Sequence, residues 1–412
     1  MGFAVGLSGL NAAQKDLDVT GNNIANASTV GFKDARAQFA DVFASSLAGA
    51  GAGQVGVGTQ VSSVAQQFTQ GNITTTNSAL DVAINGQGFF RMDDNGAVRY
   101  TRNGEFRFDD QGFIVNDRGL KLTGFGVNAA GNIVPAAPTP IQISFADIAP
   151  NTTTQFQLGM NFDSRQTPPA TAVFDPTDPT SFNFSTAGDV FDTLGNSHVF
   201  TTYFVKTATA GQWQMYATVD GVAPSNVDLG GGAGVAATLN FNNVGALTTA
   251  MPLTATMPVG TGAVTPLVFT TDLTGSTQFG SAFGVNTLTQ DGFASGHLAG
   301  FNISSDGTIV GAYTNGQNRT LGQVVLASFR NPQGLAALGN NLFQETGDSG
   351  LPVVGAPGTG SEGVLQSSAL EDSNVDLTQE LVNLITAQRV YQANAQTIKT
   401  QDTVLQTLVN LQ

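Results

Sequence analysis

The sequence predicts a mixed, mainly β fold. Two or more β-rich domains of barrel or sandwich type are nested in a chain whose N- and C-terminal helices form a coiled-coil-like inner layer. Apolar residues recur every seven positions near both ends of the 412-residue chain. Between the ends, polar and apolar residues alternate with period two and turn signals interrupt them. Charged residues make up only 11% of the chain while Gly reaches 50, which is typical of a turn-rich β protein.

The charge balance and the lack of Cys argue against several classes of function. The net charge is −15, so the basic face of a nucleic-acid or anionic-lipid binder is not expected. Without Cys, disulfides, thiolate catalysis and Cys-based zinc sites are excluded. No apolar run approaches about 18 residues, so membrane insertion is not expected. The N-terminus lacks the pattern of a cleaved signal peptide.

Residues 1–30 are predicted to form an N-terminal helix that needs partners. A strict seven-residue apolar repeat indicates a coiled-coil seam. Gly6, Gly9 and Gly21 would each cost about 1 kcal/mol inside a helix, so the helix is weak alone. Its predicted seam consists of Phe3, Leu7, Leu10, Leu17 and Ile24.

Residues 31–70 are predicted to be a linker and connecting segment. The stretch "SLAGAGAGQVGVG" at 46–58 is a Gly-Ala sequence that cannot hold one shape unaided. Gly49, Gly51 and Gly53 are therefore expected to make it flexible.

Two β-rich domains are predicted between the helices. Asn-Gly and Asp-Asn-Gly signals separate period-two strands in residues 71–148, which indicates hairpins. A similar block at 288–365 completes a discontinuous middle domain. Residues 149–287, rich in Thr, Phe, Val and Pro and without a helical period, predict an inserted outer β-domain.

The C-terminal segment, residues 366–412, is predicted to return to helix. Asp376 is a good N-cap residue, and Gln379 three positions later completes a pattern close to a capping box. The apolar residues again recur every seven positions, with a neighbouring row beside them. The predicted seam consists of Leu377, Leu381, Leu384, Tyr391, Ile398, Leu405 and Val409.

Two terminal seams in one chain favour assembly of many copies. In a lone monomer the two helices can pack only on each other, which leaves much of each helix unburied. These unburied helix surfaces carry few charged residues, so their exposure to solvent would be unfavourable. A shared helical core made from many copies resolves this, with ends that order on assembly.

Four blocks of sequence resemble the flagellar axial protein family of rod and hook subunits. They are "NNIANASTVGFK" (22–33), the segments 61–92 and 100–125, and "SALEDSNVDLTQELVNLITAQRVYQANAQTIKTQDTVLQTLVNLQ" (368–412). Within that family, the roughly 140 additional residues of the middle insertion favour a hook-type subunit over the shorter rod subunits. The signature residues carried over are Asn22, Asn23, Asn26, Gly31, Phe32 and Lys33.

The resemblance implies a structural role without a cofactor, a metal or a reaction. The subunit would self-assemble into a curved, bendable helical tube with an axial channel and act as a universal joint. Its terminal helices would line the inner tube, and Asn side chains would satisfy backbone groups where the chain leaves it. The implied partners are further copies of the chain, the distal rod protein, the hook cap protein, the hook-filament junction proteins and the flagellar type III export apparatus. The implied location is extracellular, at the hook of the bacterial flagellum.

Two alternatives stay open at this point. A distal-rod-like subunit would share the terminal helices but make a straight tube. A secreted monomeric β-sandwich binding module would not need the seven-step ends. An enzyme is not expected: "GDSG" around Ser349 resembles a protease loop, but His198 and His297 stand in no supporting motif.

Overall fold

The structure is a computed structural model that describes residues 2–42, 56–128, 131–222 and 226–409. Its helices are α1 (Gly2–Ala25) and α2 (Leu377–Val409), and a short 3₁₀ helix covers Pro332–Gly334. The strands of the described residues are β1 (Ala35–Val42), β2 (Gly58–Gln66), β3 (Ile73–Thr75), β4 (Val82–Asn85), β5 (Phe89–Asp94), β6 (Ala97–Thr101), β7 (Arg107–Phe108), β8 (Ile114–Val115), β9 (Lys121–Phe125), β10 (Thr139–Pro140), β11 (Gln155–Asp163), β12 (Phe184–Phe191), β13 (Ser197–Lys206), β14 (Gln212–Val219), β15 (Ala237–Asn240), β16 (Leu253–Met257), β17 (Leu267–Asp272), β18 (Thr277–Phe279), β19 (Gly284–Gln290), β20 (Leu298–Ile303), β21 (Thr308–Tyr313), β22 (Asn318–Val324), β23 (Leu326–Ser328), β24 (Ala336–Gly339), β25 (Leu342–Gln344), β26 (Val353–Gly355), β27 (Val364–Ser367) and β28 (Ala369–Glu371).

The predicted fold class, mainly β with two terminal helices and several β domains, is confirmed. The chain divides into two compact units. Unit 1 comprises Met1–Phe145, Gly300–Ala312 and Asn318–Gln412, and unit 2 comprises Ala146–Ala299 and Tyr313–Gln317. Residues 149–287, predicted to be the inserted outer β-domain, lie within unit 2, and both terminal helices belong to unit 1 together with most of the predicted middle domain. The five predicted boundaries stay a prediction.

Unit 1 is built by pairing early strands with late ones. Its largest sheet has the strand order β20-β21-β22-β9-β5-β6-β25-β24, with β7, β8, β10, β23 and β26 attached beside this path. Two small sheets pair β4 with β27 and β3 with β28, both antiparallel. The core includes an aromatic cluster around Phe89, which contacts Phe68, Phe329 and Phe343 edge to face. Strands from the N-terminal and C-terminal parts of the sequence therefore pair with each other within this unit.

The segment 31–70 differs from the predicted linker. β1 and β2 pair antiparallel, with Ala35 opposite Gln66 and Val42 opposite Gly58. The sequences "ARAQFADV" and "GTQVSSVAQ" are long enough to form a two-stranded ribbon, which packs on α1. The flexible linker residues Gly49, Gly51 and Gly53 lie outside the described residues, so their role remains a prediction.

Unit 2 is a sandwich of two sheets. One sheet has the order β16-β17-β11-β18, with β19 also paired to β11, and the other has the order β12-β13-β14-β15. β11 runs parallel to β17 and β18, whereas its pairing with β19 is antiparallel. Buried side chains from both sheets, among them Phe162 and Trp213, form one hydrophobic core. The alternation of apolar and polar residues along β11, β13 and β14 explains this packing.

Candidate assembly surface and the junction at the terminal helices

α1 and α2 pack antiparallel, and glycines permit their close approach. A Cβ atom added at Gly6 would lie 2.9 Å from Cγ1 of Ile398, and one at Gly9 would lie 2.8 Å from Oδ1 of Asn394. These two glycines lie on the face of α1 that meets α2. Gly6 and Gly9 therefore allow a close contact in which any larger residue would force Ile398 or Asn394 to shift, whereas a Cβ atom added at Gly21 would meet no heavy atom within 4 Å.

The N-cap prediction for α2 is confirmed. The Asp376 side chain accepts hydrogen bonds from the backbone N–H groups of Thr378 and Gln379, at 2.9 and 3.1 Å. α1 ends at Ala25, earlier than the predicted limit of 30, because residues 26–31 form turns.

Small and polar side chains form the buried face of α1. The buried side chains are those of Ala12, Ala13, Val19, Thr20 and Asn23. The seven-step residues Leu10, Leu17 and Ile24 are only half-buried, as are Leu384, Tyr391 and Ile398 on α2. The side chain of Val409 lies outside the described residues.

The other predicted seam residues are exposed. Phe3, Leu7, Leu377, Leu381 and Leu405 each leave 44–54% of their surface exposed. Further large apolar residues extend this surface along both helices. Together, the ten exposed members are Phe3, Val5, Leu7, Leu377, Leu381, Val382, Ile385, Val390, Val404 and Leu405. We call them the exposed helix face.

Asn23 joins the end of α1 to the start of β1. Its side-chain Nδ2 donates to the carbonyl oxygen of Ala35 at 2.8 Å, and its Oδ1 accepts from the Ala35 N–H at 3.0 Å. The side chain is almost fully buried, since Asn23 is 1% exposed. An amide supplies both a donor and an acceptor without burying a charge, which is why Asn suits this position.

Other signature residues shape the turn after α1. Asn26 Nδ2 donates to the carbonyl oxygen of Asn22 at 2.9 Å, and Thr29 Oγ1 donates to Asn26 Oδ1 at 3.2 Å. Gly31 has φ of +68°, and an added Cβ would lie 2.7–2.9 Å from backbone atoms of Arg102 and Asn103. Only Gly fits both this conformation and this approach. Phe32 is half-buried after the turn.

Lys33, the last signature residue, belongs to a buried cluster of charged side chains. Its Nζ lies 2.6 Å from Glu371 Oε1 and donates to the Thr69 carbonyl oxygen at 2.7 Å. Arg102 Nε lies 3.0 Å from the other Glu371 oxygen, Oε2. Burial lowers the pKa of Lys33, an effect that the negative charge of Glu371 opposes in part. All three charged side chains are at least 96% buried.

Sequence reasoning missed Glu371, Arg102 and Asn374. Asn374 Oδ1 accepts from the Asp34 N–H at 2.8 Å, and its Nδ2 donates to the Gln67 carbonyl oxygen at 2.8 Å. All three lie inside the blocks that carry the family resemblance. Because only 11% of the residues are charged, Glu371 and Arg102 within these blocks could have been predicted as candidate partners of Lys33.

Replacing Asn23 by Ala is expected to lower the free energy of unfolding of unit 1 by about 1–3 kcal/mol. The substitution removes both hydrogen bonds and leaves the Ala35 N–H and carbonyl groups without these partners. Urea unfolding would measure the loss, and amide exchange at Ala35 should accelerate. Asn22→Ala is the matched control, because Asn22 is exposed; an equal loss there would contradict a specific role for the two hydrogen bonds between Asn23 and Ala35.

Ser349 has a structural environment. The residue is fully buried, and its single hydroxyl proton can be donated to the carbonyl oxygen of Thr346 at 2.9 Å or shared with that of Gly350 at 3.1 Å. It also accepts a hydrogen bond from the Thr346 N–H at 2.9 Å. These contacts close a turn and do not place a base beside the hydroxyl.

His198 sits between two carboxylates in unit 2. Its Nδ1 lies 2.8 Å from Asp220 Oδ2, and its Nε2 lies 3.3 Å from Asp192 Oδ2. Burial would lower the pKa of His198, but the hydrogen bonds to the two carboxylates outweigh it and raise the pKa above 6.5. Burial would raise the pKa of Asp192, yet hydrogen bonds from Thr261, Asn196 and His198 hold it below 3.8.

These shifts predict a pH window for the stability of unit 2. Because the pKa of His198 is raised, its contribution is complete below pH 6.5 and is lost as the pH rises through the folded-state pKa. Because the pKa of Asp192 is lowered, its contribution is present above pH 3.8 and is lost at lower pH. Urea unfolding of unit 2 should therefore show falling stability from about pH 6.5 upwards. His198→Gln should remove that slope, whereas His297→Gln, at an exposed residue, should keep it.

Four family models match the chain. The "Flagella basal body rod protein" model matches residues 3–33, and the "Flagellar hook protein FlgE/F/G D1 domain" model matches 83–192. The "Flagellar basal body protein FlaE D2 domain" model matches 161–293, and the "Flagellar basal body rod FlgEFG protein C-terminal" model matches 366–411. Both helices and both β-rich parts of the chain thus match flagellar domains.

Relatives match the chain over its full length. The flagellar hook protein FlgE of Escherichia coli (strain K12) is 43% identical over 418 residues, covering 100% of both chains. The chain belongs to the flagellar hook protein FlgE family. The Salmonella typhimurium FlgE is 42% identical with the same coverage, and the Borreliella burgdorferi FlgE is 33% identical over 98% of both chains.

A solved structure supports the FlgE fold. The crystal structure of Helicobacter pylori flagellar hook protein FlgE2 matches with a TM-score of 0.53 at 14% identity, covering 72% of this chain and 100% of that one. Within the described part of the chain, neither helix has a stretch long and apolar enough to cross a membrane.

Proposed function

We propose that this chain is the structural subunit of the flagellar hook and self-assembles into a curved, bendable tube with an axial channel. The tube would act as a universal joint that transmits torque from the rod to the filament. The observation that carries the proposal is the exposed helix face: among the described side chains of the two long helices, ten large apolar ones remain exposed. Membership of the FlgE family makes a hook tube the most direct use of such a face.

The exposed helix face can supply the free energy of assembly. Burying a large apolar side chain completely contributes about 1.5–3 kcal/mol, and about half of the surface of each of these exposed residues is already covered in the monomer. Covering all ten would contribute on the order of 10 kcal/mol, before the cost of association is subtracted. A second copy offers the same apolar surface, so self-association is the natural outcome.

The remaining parts of the proposal concern partners and location. The tube would be built outside the cell from subunits passed through the flagellar type III export apparatus. It would stand on the distal rod protein, grow beneath the hook cap protein and carry the hook-filament junction proteins. No catalytic role is proposed, since Ser349 and His198 both serve in structural contacts.

Negative-stain electron microscopy of the full-length protein after salting-out tests the proposal. Wild-type protein should form curved tubes, and the double variant Leu381→Glu with Ile385→Glu should remain a folded monomer. The control pair Gln388→Glu with Gln392→Glu adds the same charge at exposed polar positions of α2 and should still form tubes. Straight tubes from wild-type protein would instead favour a distal-rod-like subunit. Monomers from every protein would favour a binding module.

A further inference from the structure

A groove runs between α1, α2 and the β1–β2 ribbon in unit 1. At one end it forms an apolar cavity of about 370 Å³. Its apolar lining consists of Gly9, Ala12, Ala13, Phe39, Ala387 and Val390, and Asp16, Thr59, Thr386 and Asn394 complete the lining. Phe39 and Val390 are 43% and 47% exposed, so the cavity is open to a partner. Small residues flanked by larger ones make a hole of the size that receives a Leu or Phe knob.

The other end of the groove is acidic. Asp16 and Thr386 line both the apolar cavity and a second one of about 420 Å³. This second cavity contains the carboxylates of Asp16, Asp34 and Glu380 and a single cation, Arg36. Burial raises the pKa of Asp16 and of Asp34; the charge of Arg36 opposes this at Asp16, and a hydrogen bond with Asn374 opposes it at Asp34.

The exposed side of α1 carries an apolar residue followed by a cation, which complements the apolar and acidic ends of the groove. Leu7 is 45% exposed, and Lys15 follows eight residues later, also exposed. Eight residues rise about 12 Å along a helix. In the groove, the distance from Val390 to Glu380 is ten residues of α2, or about 15 Å. The extended Lys15 side chain can span the difference of about 3 Å between these two distances. Within the described residues, the Lys15 side chain makes no hydrogen bond or ion pair.

We propose that the groove receives the α1 helix of a second copy, with Leu7 in the apolar cavity and Lys15 among the carboxylates of Asp34 and Glu380. This inference rests on the proposed tube. The donor stripe and the receiving groove are different surfaces of the same chain, so the contact is heterologous. A heterologous contact that does not close into a ring propagates an open helical polymer.

Direction selects α1 over α2 as the occupant. The groove runs from its apolar to its acidic end in the same direction as α1, because Gly9 lies at the apolar end and Thr20 at the acidic end. In a tube built by rotation and translation about one axis, helices along that axis keep their direction in every copy. The α2 stripe Leu381, Ile385 and Arg389 also runs from apolar to cationic, but it would have to enter antiparallel to the α2 of the receiving copy.

Charge exchange between chains tests the contact. Lys15→Glu alone and Glu380→Lys alone should each raise the concentration needed for tube formation about tenfold or more. An equimolar mixture should recover tubes, because each stripe then meets an oppositely charged groove. Recovery by mixing cannot come from a chain that fails to fold. Tubes from each variant alone at the wild-type concentration would overturn the inference, as would a mixture that fails while both variants stay folded.

Disulfide crosslinking gives an independent test in a chain without Cys. The double variant Leu7→Cys with Val390→Cys, oxidised after tube formation, should give a ladder of covalent oligomers on a denaturing gel. Each single variant should give no ladder. Within one chain, Gly9 lies against Asn394, which places Leu7 beyond the level of Val390 and outside disulfide reach. Tubes without a ladder would overturn the groove assignment alone, whereas the absence of wild-type tubes would overturn the proposed function.

Discussion

Replacing Glu371 by Gln is expected to lower the free energy of unfolding of unit 1 by about 3–5 kcal/mol. The substitution leaves two buried cations, Lys33 and Arg102, without their anion. Lys33 Nζ lies 2.6 Å from one Glu371 oxygen and Arg102 Nε lies 3.0 Å from the other. Glu371 Oε1 also accepts the N–H of Gly71 at 2.9 Å, so the change disturbs a network and not one pair. The cost is large because none of these charges can reach water.

The pH dependence of the Glu371→Gln variant identifies the cause. Burial already lowers the pKa of Lys33 in the intact protein, and loss of the Glu371 charge would lower it further. The unfolded chain then binds more protons than the folded chain as the pH approaches 10.5, the ordinary value for Lys. Stability therefore rises with pH in that range, so the deficit of the variant should shrink in alkaline buffer.

A partly exposed ion pair provides the control for Glu371. Asp94 lies 3.7 Å from Arg99, and both side chains reach solvent. Asp94→Asn should change the free energy of unfolding by less than about 1 kcal/mol, because exposed ion pairs contribute little. Urea unfolding of both variants beside wild-type protein is the measurement. Equal losses for the two substitutions would contradict a special role for the buried cluster.

The sequence carries enough local information for the fold class. The period-two sequence in residues 71–148 forms strands such as β5 and β9, and Asp376 is the N-cap of α2. Contacts between residues far apart in the sequence leave no such local signal. Lys33 and Glu371 lie 338 residues apart, and no local pattern indicates that β28 lies beside β3. The ribbon of β1 and β2 was missed because the Gly-Ala stretch at 46–58 between them indicates a linker, and residues 31–70 were predicted to be a linker and connecting segment.

The assembly surface shows the same limit. A seven-residue repeat identifies apolar rows on a helix but does not say which row meets the other helix of the same chain. In α1 the buried positions are the small residues Ala12 and Ala13, while Phe3 and Leu7 remain exposed. Gly6 and Gly9, which count against a helix by propensity, mark the face that meets α2. The role of the exposed helix face in assembly therefore stays a proposal, which experiments on the assembled tube would test.

Replacing Phe162 by Ala should lower the free energy of unfolding of unit 2 by about 3–5 kcal/mol. Phe162 is fully buried, and its ring centroid lies 5.1 Å from those of Phe204, Trp213 and Phe241. It comes from β11, whereas Phe204 and Trp213 come from β13 and β14 of the other sheet. The substitution thus opens a cavity at the point where the two sheets of the sandwich share their core.

An exposed Phe of the same unit supplies the control. Phe279 is 51% exposed, so Phe279→Ala should cost about 1 kcal/mol or less. Calorimetry of the full chain should show the unit 2 transition of Phe162→Ala move to lower temperature while the unit 1 transition stays in place. Because the exposed helix face belongs to unit 1, tubes should still form below the shifted transition. A shift of both transitions together would mean that the units unfold as one body, and loss of tubes at low temperature would mean that unit 2 contacts are also required for assembly.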